Sequence, residues 1–201
     1  MNLATATSQT ALPGLLSLCK QFFQGFVAPG AVALDLTVGN GRDTVFLAGL
    51  VGGAGRVFGF DIQAEAIANT SRLLAELGFA NTTLHQAGHE RLAELLPPVH
   101  KGRIAAAMLN LGYLPGSDKR VVTRACSTLA ALAQLQEWLA PGGGMSVHIY
   151  TGHPGGAEEG EAVLTWARAL PWPQWKVAAY EMLNKAQNRE ILLLISQKPY
   201  S

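Results

Sequence analysis

AVALDLTVGNGRDTVFLAGLVGGAGRVFGFD, residues 31–61, decides the fold. Ala31–Leu36 is a short apolar run of the kind that forms a strand buried on both faces, and Gly39-Asn40-Gly41 turns it into a helix over Asp43–Leu50. Gly52-Gly53-Ala54-Gly55 is a turn, and Arg56–Phe60 is a second strand. The stretch is a βαβ unit, which requires a parallel strand pair with a right-handed crossover.

Working outward, Leu15, Leu16, Leu18, Phe22, Phe23 and Phe26 recur at helical spacing until Pro29-Gly30. Residues 1–11, rich in Thr, Ser and Ala, read as poorly ordered. Downstream, the alternation predicts a helix over Ala64–Leu77, a strand over Thr82–Gln86, a helical stretch around Arg91–Leu96 and a strand over Ile104–Leu109. A helix over Val121–Leu139 follows, ended by Pro141-Gly142-Gly143-Gly144, then a strand over Met145–Tyr150 and a helix over Ala162–Leu170. Lys176–Met182 and Ile191–Ser196 have no helical period between them, so they should pair antiparallel as a hairpin. Five parallel strands plus that hairpin outline an α/β, Rossmann-like sheet of seven strands, as in class I methyltransferases, over a single domain spanning residues 1–201.

The 201 residues are 49% hydrophobic and 14% charged, with a formal net charge of +1, which excludes a disordered acidic chain and a strongly basic nucleic-acid arm. A chain this long buries about 70% of its unfolded surface without staples. Cys19 and Cys126 form no Cys-x-x-Cys pair and read as small packing residues, with no metal site implied. No charged leader or apolar run of about 20 residues is present, so a cytoplasmic protein away from membranes is expected.

Ligands of open α/β sheets bind beyond the carboxyl ends of the strands. After the first strand, Asp35, Thr37, Gly39, Asn40 and Gly41 form a loop whose glycines allow close backbone approach at a helix N-terminus. Thr44 stands where a dinucleotide fingerprint wants its third glycine, which weakens a pyrophosphate reading. Asp61, twenty residues past Gly41, can accept from a ribose diol, with Gln63 just beyond it. Together these suit S-adenosylmethionine; the plainer reading is a tight turn and a helix cap. In the third loop His89 could border the adenine or merely start a helix.

Asn110-Leu111-Gly112-Tyr113 follows the fourth strand, opposite the methyl group of a cofactor held by the first loops. The Asn110 amide oxygen and the Leu111 carbonyl can accept from a substrate amine, and Tyr113 offers a stacking ring or only packs. His153, in the fifth loop, should face the same site as a proton acceptor or a phosphate contact. Lys119, Arg120 and Arg124, and in the hairpin turn Lys185 and Arg189, could meet phosphates or form solvated faces. Pro171-Trp172-Pro173-Gln174-Trp175 could stack a base, though tryptophans beside a strand start usually pack.

Asp35-x-Thr-x-Gly-Asn-Gly41 with Asp43-Thr44-x-Phe46-Leu47, the Asn110–Lys119 loop, and Gly152-His-Pro-Gly-Gly-x-Glu-Glu159 resemble a small single-domain family labelled rRNA methylases. The resemblance covers about residues 12–198. It departs from the family at Arg42, often histidine; at Ser117, often glycine; and at Asn184–Arg189, usually Asn-rich with proline. It implies S-adenosylmethionine as cofactor, S-adenosylhomocysteine as product, and methyl transfer to the 5-aminomethyl group of 2-thiouridine at the wobble position. The tRNA anticodon stem-loop would be the partner of a monomer or homodimer. A small-molecule amine methyltransferase and a non-catalytic cofactor-binding protein are the competing expectations.

Overall fold

The computed structural model describes residues 12–112 and 122–199. Along the chain it contains α1 (Leu15–Gln24), β1 (Val32–Asp35), α2 (Arg42–Val51), β2 (Arg56–Asp61), α3 (Ala64–Glu76), β3 (Thr82–Gln86) and α4 (Leu92–Leu95). Then come β4 (Ile104–Asn110), α5 (Ala125–Trp138), β5 (Leu139–Tyr150), α6 (Gly156–Arg168), β6 (Trp175–Glu181) and β7 (Glu190–Gln197). The strands form one sheet in the order β3-β2-β1-β4-β5-β7-β6. β1 to β5 run parallel, whereas β7 enters antiparallel between β5 and β6, as the missing helical period before it requires. Among the described residues no helix is long and apolar enough to cross a membrane.

Successive residues of each strand feed two cores. Leu34, Phe58, Phe60 and Leu109 pack with Leu132, Leu135 and Val163 of α5 and α6, while Ala33, Val57 and Met108 pack with Phe23, Leu47 and Leu74 of α1, α2 and α3. That two-sided burial is why the parallel strands read as continuous apolar runs.

Three boundaries differ from the sequence reading. α6 begins at Gly156, six residues before Ala162, because its glycines serve packing: a Cβ on Gly156 would lie 2.6 Å from the Tyr150 carbonyl oxygen, and one on Gly160 would lie 2.9 Å from Ile149. α5 begins at Ala125, since Thr123 is held by its N–H to the Gly112 carbonyl at 2.9 Å and Arg124 is extended; Val121 lies outside the described residues. β5 runs through the Pro-Gly-Gly-Gly segment rather than after it, because the pairing jumps from Ile104↔Leu139 to Ala106↔Gly144 and bulges the intervening residues out. Cys19 is buried as expected, whereas Cys126 is exposed on α5 and does not pack. The reading of residues 1–11 as poorly ordered lies outside the described residues.

Gly144 sits where α1 crosses the sheet, with the Phe22 and Phe26 rings 2.9 Å from the place a Cβ would take and the Ile195 carbonyl 3.0 Å away. Gly144→Val should therefore lower stability by about 2 kcal/mol, read from the urea midpoint, because a strand oxygen on one side leaves no room for repacking.

Candidate active site

A cavity of about 880 Å³ opens at the carboxyl ends of the strands, where β1 and β4 part toward opposite halves of the sheet. Its first wall is the loop from Thr37 to Asn40. Gly39 and Gly41 both have positive φ, 51° and 76°, which L side chains rarely adopt, and a Cβ on Gly41 would strike Thr70 at 2.7 Å. The loop is tied to β2 by Asp61, whose Oδ2 accepts from the Gly39 N–H and whose Oδ1 accepts from the Gln63 N–H, both at 2.9 Å. Thr37 Oγ1 accepts from the Asn110 N–H at 2.7 Å, joining the β1 loop to the end of β4.

The third loop adds His89, which is buried and lines the cavity. The Leu36 carbonyl, 3.2 Å from Nδ1, can only accept, so Nδ1 carries the proton. Burial holds the imidazole below its usual range, hence neutral, and leaves Nε2 a bare acceptor with no hydrogen-bond partner among the described residues.

On the far wall Asn110, Leu111 and Gly112 face the cavity. The Asn110 Nδ2 donates to Asp43 Oδ2 at 2.8 Å, and a carboxylate cannot donate in return, so the amide is oriented with Oδ1 left as its acceptor. Gly112 donates to Thr123 Oγ1 at 2.8 Å, and that hydroxyl donates to Oε2 of Glu159 at 2.6 Å. Thr128 donates to Oε1 of Glu159, also at 2.6 Å. Glu159 is 1% exposed, so a buried carboxylate on α6 fixes both α5 and the Gly112 wall. Glu159→Ala should cost about 3 kcal/mol, since it strands the buried Thr128 hydroxyl and the half-buried Thr123 hydroxyl and leaves a void, with Glu159→Gln milder because a threonine hydroxyl can turn to accept. Urea denaturation of the two variants checks this, and equal losses would count against the hydroxyl argument.

Of the residues singled out from sequence, Thr37, Gly39, Asn40, Asp61, Gln63, His89, Asn110, Leu111, Gly112, His153 and Arg189 line this one cavity. The His153 ring packs within 3.7 Å of the position of a Gly112 Cβ, bringing the fourth and fifth loops together. Asp35 does not reach the cavity: it is fully buried beneath the loop, accepting from the Thr44 hydroxyl at 2.6 Å and the Thr37 N–H at 3.2 Å. Gly41 caps α2 behind the wall. Lys185 is off the wall and paired with Glu190, and Arg189 is paired with Glu181. Arg124 lines the mouth, while Trp175 is buried and the exposed Trp172 lies outside the lining. Tyr113, Lys119 and Arg120 lie outside the described residues.

Among the polar residues near or on the wall that sequence reasoning missed are Asp43, Tyr150, Glu190 and the buried His148 behind them. Only Asp43 had a local signal, as the acidic residue in the first turn after the glycine loop.

The model of a family described as "Putative rRNA methylase" matches residues 57–196. A chloroplastic tRNA (mnm(5)s(2)U34)-methyltransferase of Arabidopsis thaliana is 36% identical over 168 residues, 79% of this chain; the chain spans 61% of that protein's length. A crystal structure from Clostridium thermocellum described in the same words as the family is 38% identical, with a TM-score of 0.88 over 94% of this chain and 100% of that one. A Streptococcus mutans structure with a methyltransferase description, solved in complex with SAH, is 32% identical, with a TM-score of 0.84 over 92% of this chain and 99% of that one.

Proposed function

The chain belongs to the rRNA methylase family, and from that footing we propose that it is an S-adenosylmethionine-dependent methyltransferase that N-methylates the 5-aminomethyl group of uridine or 2-thiouridine at the wobble position of tRNA. The observation that carries the reading is a cavity in which a glycine loop clamped by Asp61 confronts the Asn110-Leu111-Gly112 wall. The S. mutans relative solved with SAH and the plant relative named for tRNA wobble methylation support the cofactor and the substrate class.

The residues suit that cofactor. Asp61 spends one lone pair of each oxygen on the loop backbone and keeps others for a ribose diol. His89 lines the same wall, where its ring borders the adenine. Thr37, Gly39, Asn40 and Gln63 complete this wall, with Asp35 and Gly41 shaping it from behind. When bound, S-adenosylmethionine would supply a sulfonium methyl group open to attack by a neutral amine, with S-adenosylhomocysteine as the leaving group. The work of the chain is alignment. Asn110 Oδ1 and the Leu111 carbonyl accept from the acceptor amine, Tyr113 stacks on its base, and His153 beside Gly112 meets a phosphate. Arg189, Lys185, Lys119 and Arg120 serve the RNA backbone, a local footprint on a chain whose net charge is only +1.

The test is incubation of the purified protein with methyl-labelled cofactor and tRNA from cells lacking the native enzyme, followed by nucleoside mass spectrometry. One methyl gained on the aminomethyl side chain, and none on wholly unmodified tRNA, is the expected result. Label in small amines but not in tRNA would replace the RNA substrate by a metabolite. Cofactor binding with no transfer to either would reduce the chain to a binding protein.

A further inference from the structure

At the end of the cavity remote from Asp61, three adjacent strands bring polar side chains together. Asn110 ends β4 in register with His148 of β5, and Tyr150 of β5 is in register with Glu190, the first residue of β7. Asp43 reaches the same place from α2 through its hydrogen bond with Asn110, and Asp43, Tyr150 and Glu190 all line the cavity.

Behind them His148 is 3% exposed, with Nδ1 3.0 Å from the Tyr150 hydroxyl. Its Nε2 has no hydrogen-bond partner among the described residues and points at Glu190 Oε2 across 3.6 Å. The other oxygen of Glu190 holds Lys185. This end of the cavity carries the Glu190 and Asp43 carboxylates and an oriented amide oxygen; Lys185 is committed to Glu190 and Arg189 to Glu181, and Lys20 and Arg42 also line the cavity. Two carboxylates repel a phosphate, and a neutral hydroxyl would satisfy them poorly. A cationic N–H donor matches them.

We propose that Glu190, aided by Asp43, is the specificity-determining residue of the acceptor subsite and selects a protonated primary amine over a neutral group of the same shape. The inference rests on the amine-methylating reading above and deepens it. The ammonium must lose one proton before its nitrogen can attack. That proton has the Glu190 carboxylate to go to. Burial holds His148 below the usual imidazole range, Glu190 and Asp43 act to raise it, and Lys185 acts to lower it. The Tyr150 phenol, pushed up to about 12 by burial and the same two carboxylates, stays protonated as a donor.

The test uses two anticodon stem-loop oligonucleotides that differ only in 5-aminomethyluridine or 5-hydroxymethyluridine at the wobble position. Each is titrated into the full chain saturated with S-adenosylhomocysteine. Wild type favours the amine, and Glu190→Gln should shrink that preference about tenfold. Lys185→Gln, which frees the second oxygen of Glu190, should enlarge it, a gain that misfolding cannot imitate. Glu161→Gln, which alters a carboxylate paired with Arg168 away from the cavity, should leave the ratio unchanged. The inference is overturned if Glu190→Gln and Lys185→Gln leave the ratio within twofold, or move it the same way. If wild type methylates the aminomethyl strand in that case, only this inference falls. If wild type binds neither strand and transfers no methyl group, the amine-methylating reading falls and takes this one with it.

Discussion

Asp61→Ala should lower the affinity for S-adenosylhomocysteine about a thousandfold, or about 4 kcal/mol, and abolish methyl transfer at ordinary cofactor concentrations. The carboxylate does two jobs at once. It accepts from the Gly39 and Gln63 N–H groups, each at 2.9 Å, and so holds the glycine loop in a positive-φ conformation the free chain would not keep. It also keeps lone pairs toward the cavity that it lines. Charge-assisted hydrogen bonds contribute about 1.5–3 kcal/mol each, so losing the ligand contact and the loop's preorganisation together reaches the stated size. Asp61→Asn should rescue little. An amide offers one acceptor oxygen, and its NH₂ would face whichever backbone N–H had lost its partner. Isothermal titration of the three proteins decides the matter. An alanine variant within threefold of wild type would reduce Asp61 to a turn cap.

Asp61 is legible in the sequence because its signal is local: a strand end twenty residues after a Gly-x-Gly turn. The same is true of the sheet, whose parallel strands read as apolar runs because both faces are covered, and whose last two strands declare an antiparallel pair by lacking a helix between them. What escaped is non-local or has two readings. Glu190 and Tyr150 meet only because β7 lies antiparallel beside β5, a pairing no spacing along the chain encodes. Glycines 156 and 160 look like loop residues, yet they exist to let α6 lie against β5. Asp35 illustrates the opposite error. A carboxylate at the end of the first strand invites a ligand role, but strand alternation cannot tell a residue that faces the cavity from one sealed beneath it.

Asp35 should instead set the pH dependence of stability. Burial pushes its carboxyl from an ordinary 3.8 up to about 7, with the nearby Asp43 charge adding to the rise and the Thr44 hydroxyl opposing it. The folded pKa lies above the unfolded one. Between about pH 4 and pH 7 the native chain therefore holds a proton that the unfolded chain has released, and stability falls as pH rises through that window. Below it both states are protonated, and above it both are ionised, so the contribution is flat on either side. A rise of about three pKa units corresponds to about 4 kcal/mol. Asp35→Asn removes the titration while keeping a group that can still bond to the Thr44 hydroxyl. The variant should equal or trail wild type at pH 4 and exceed it at pH 8, so that the sign of the stability difference reverses. Urea midpoints measured across that range check this crossing. Parallel curves for the two proteins would mean that Asp35 is ionised throughout, its charge held by the hydrogen bonds from Thr44 and Thr37.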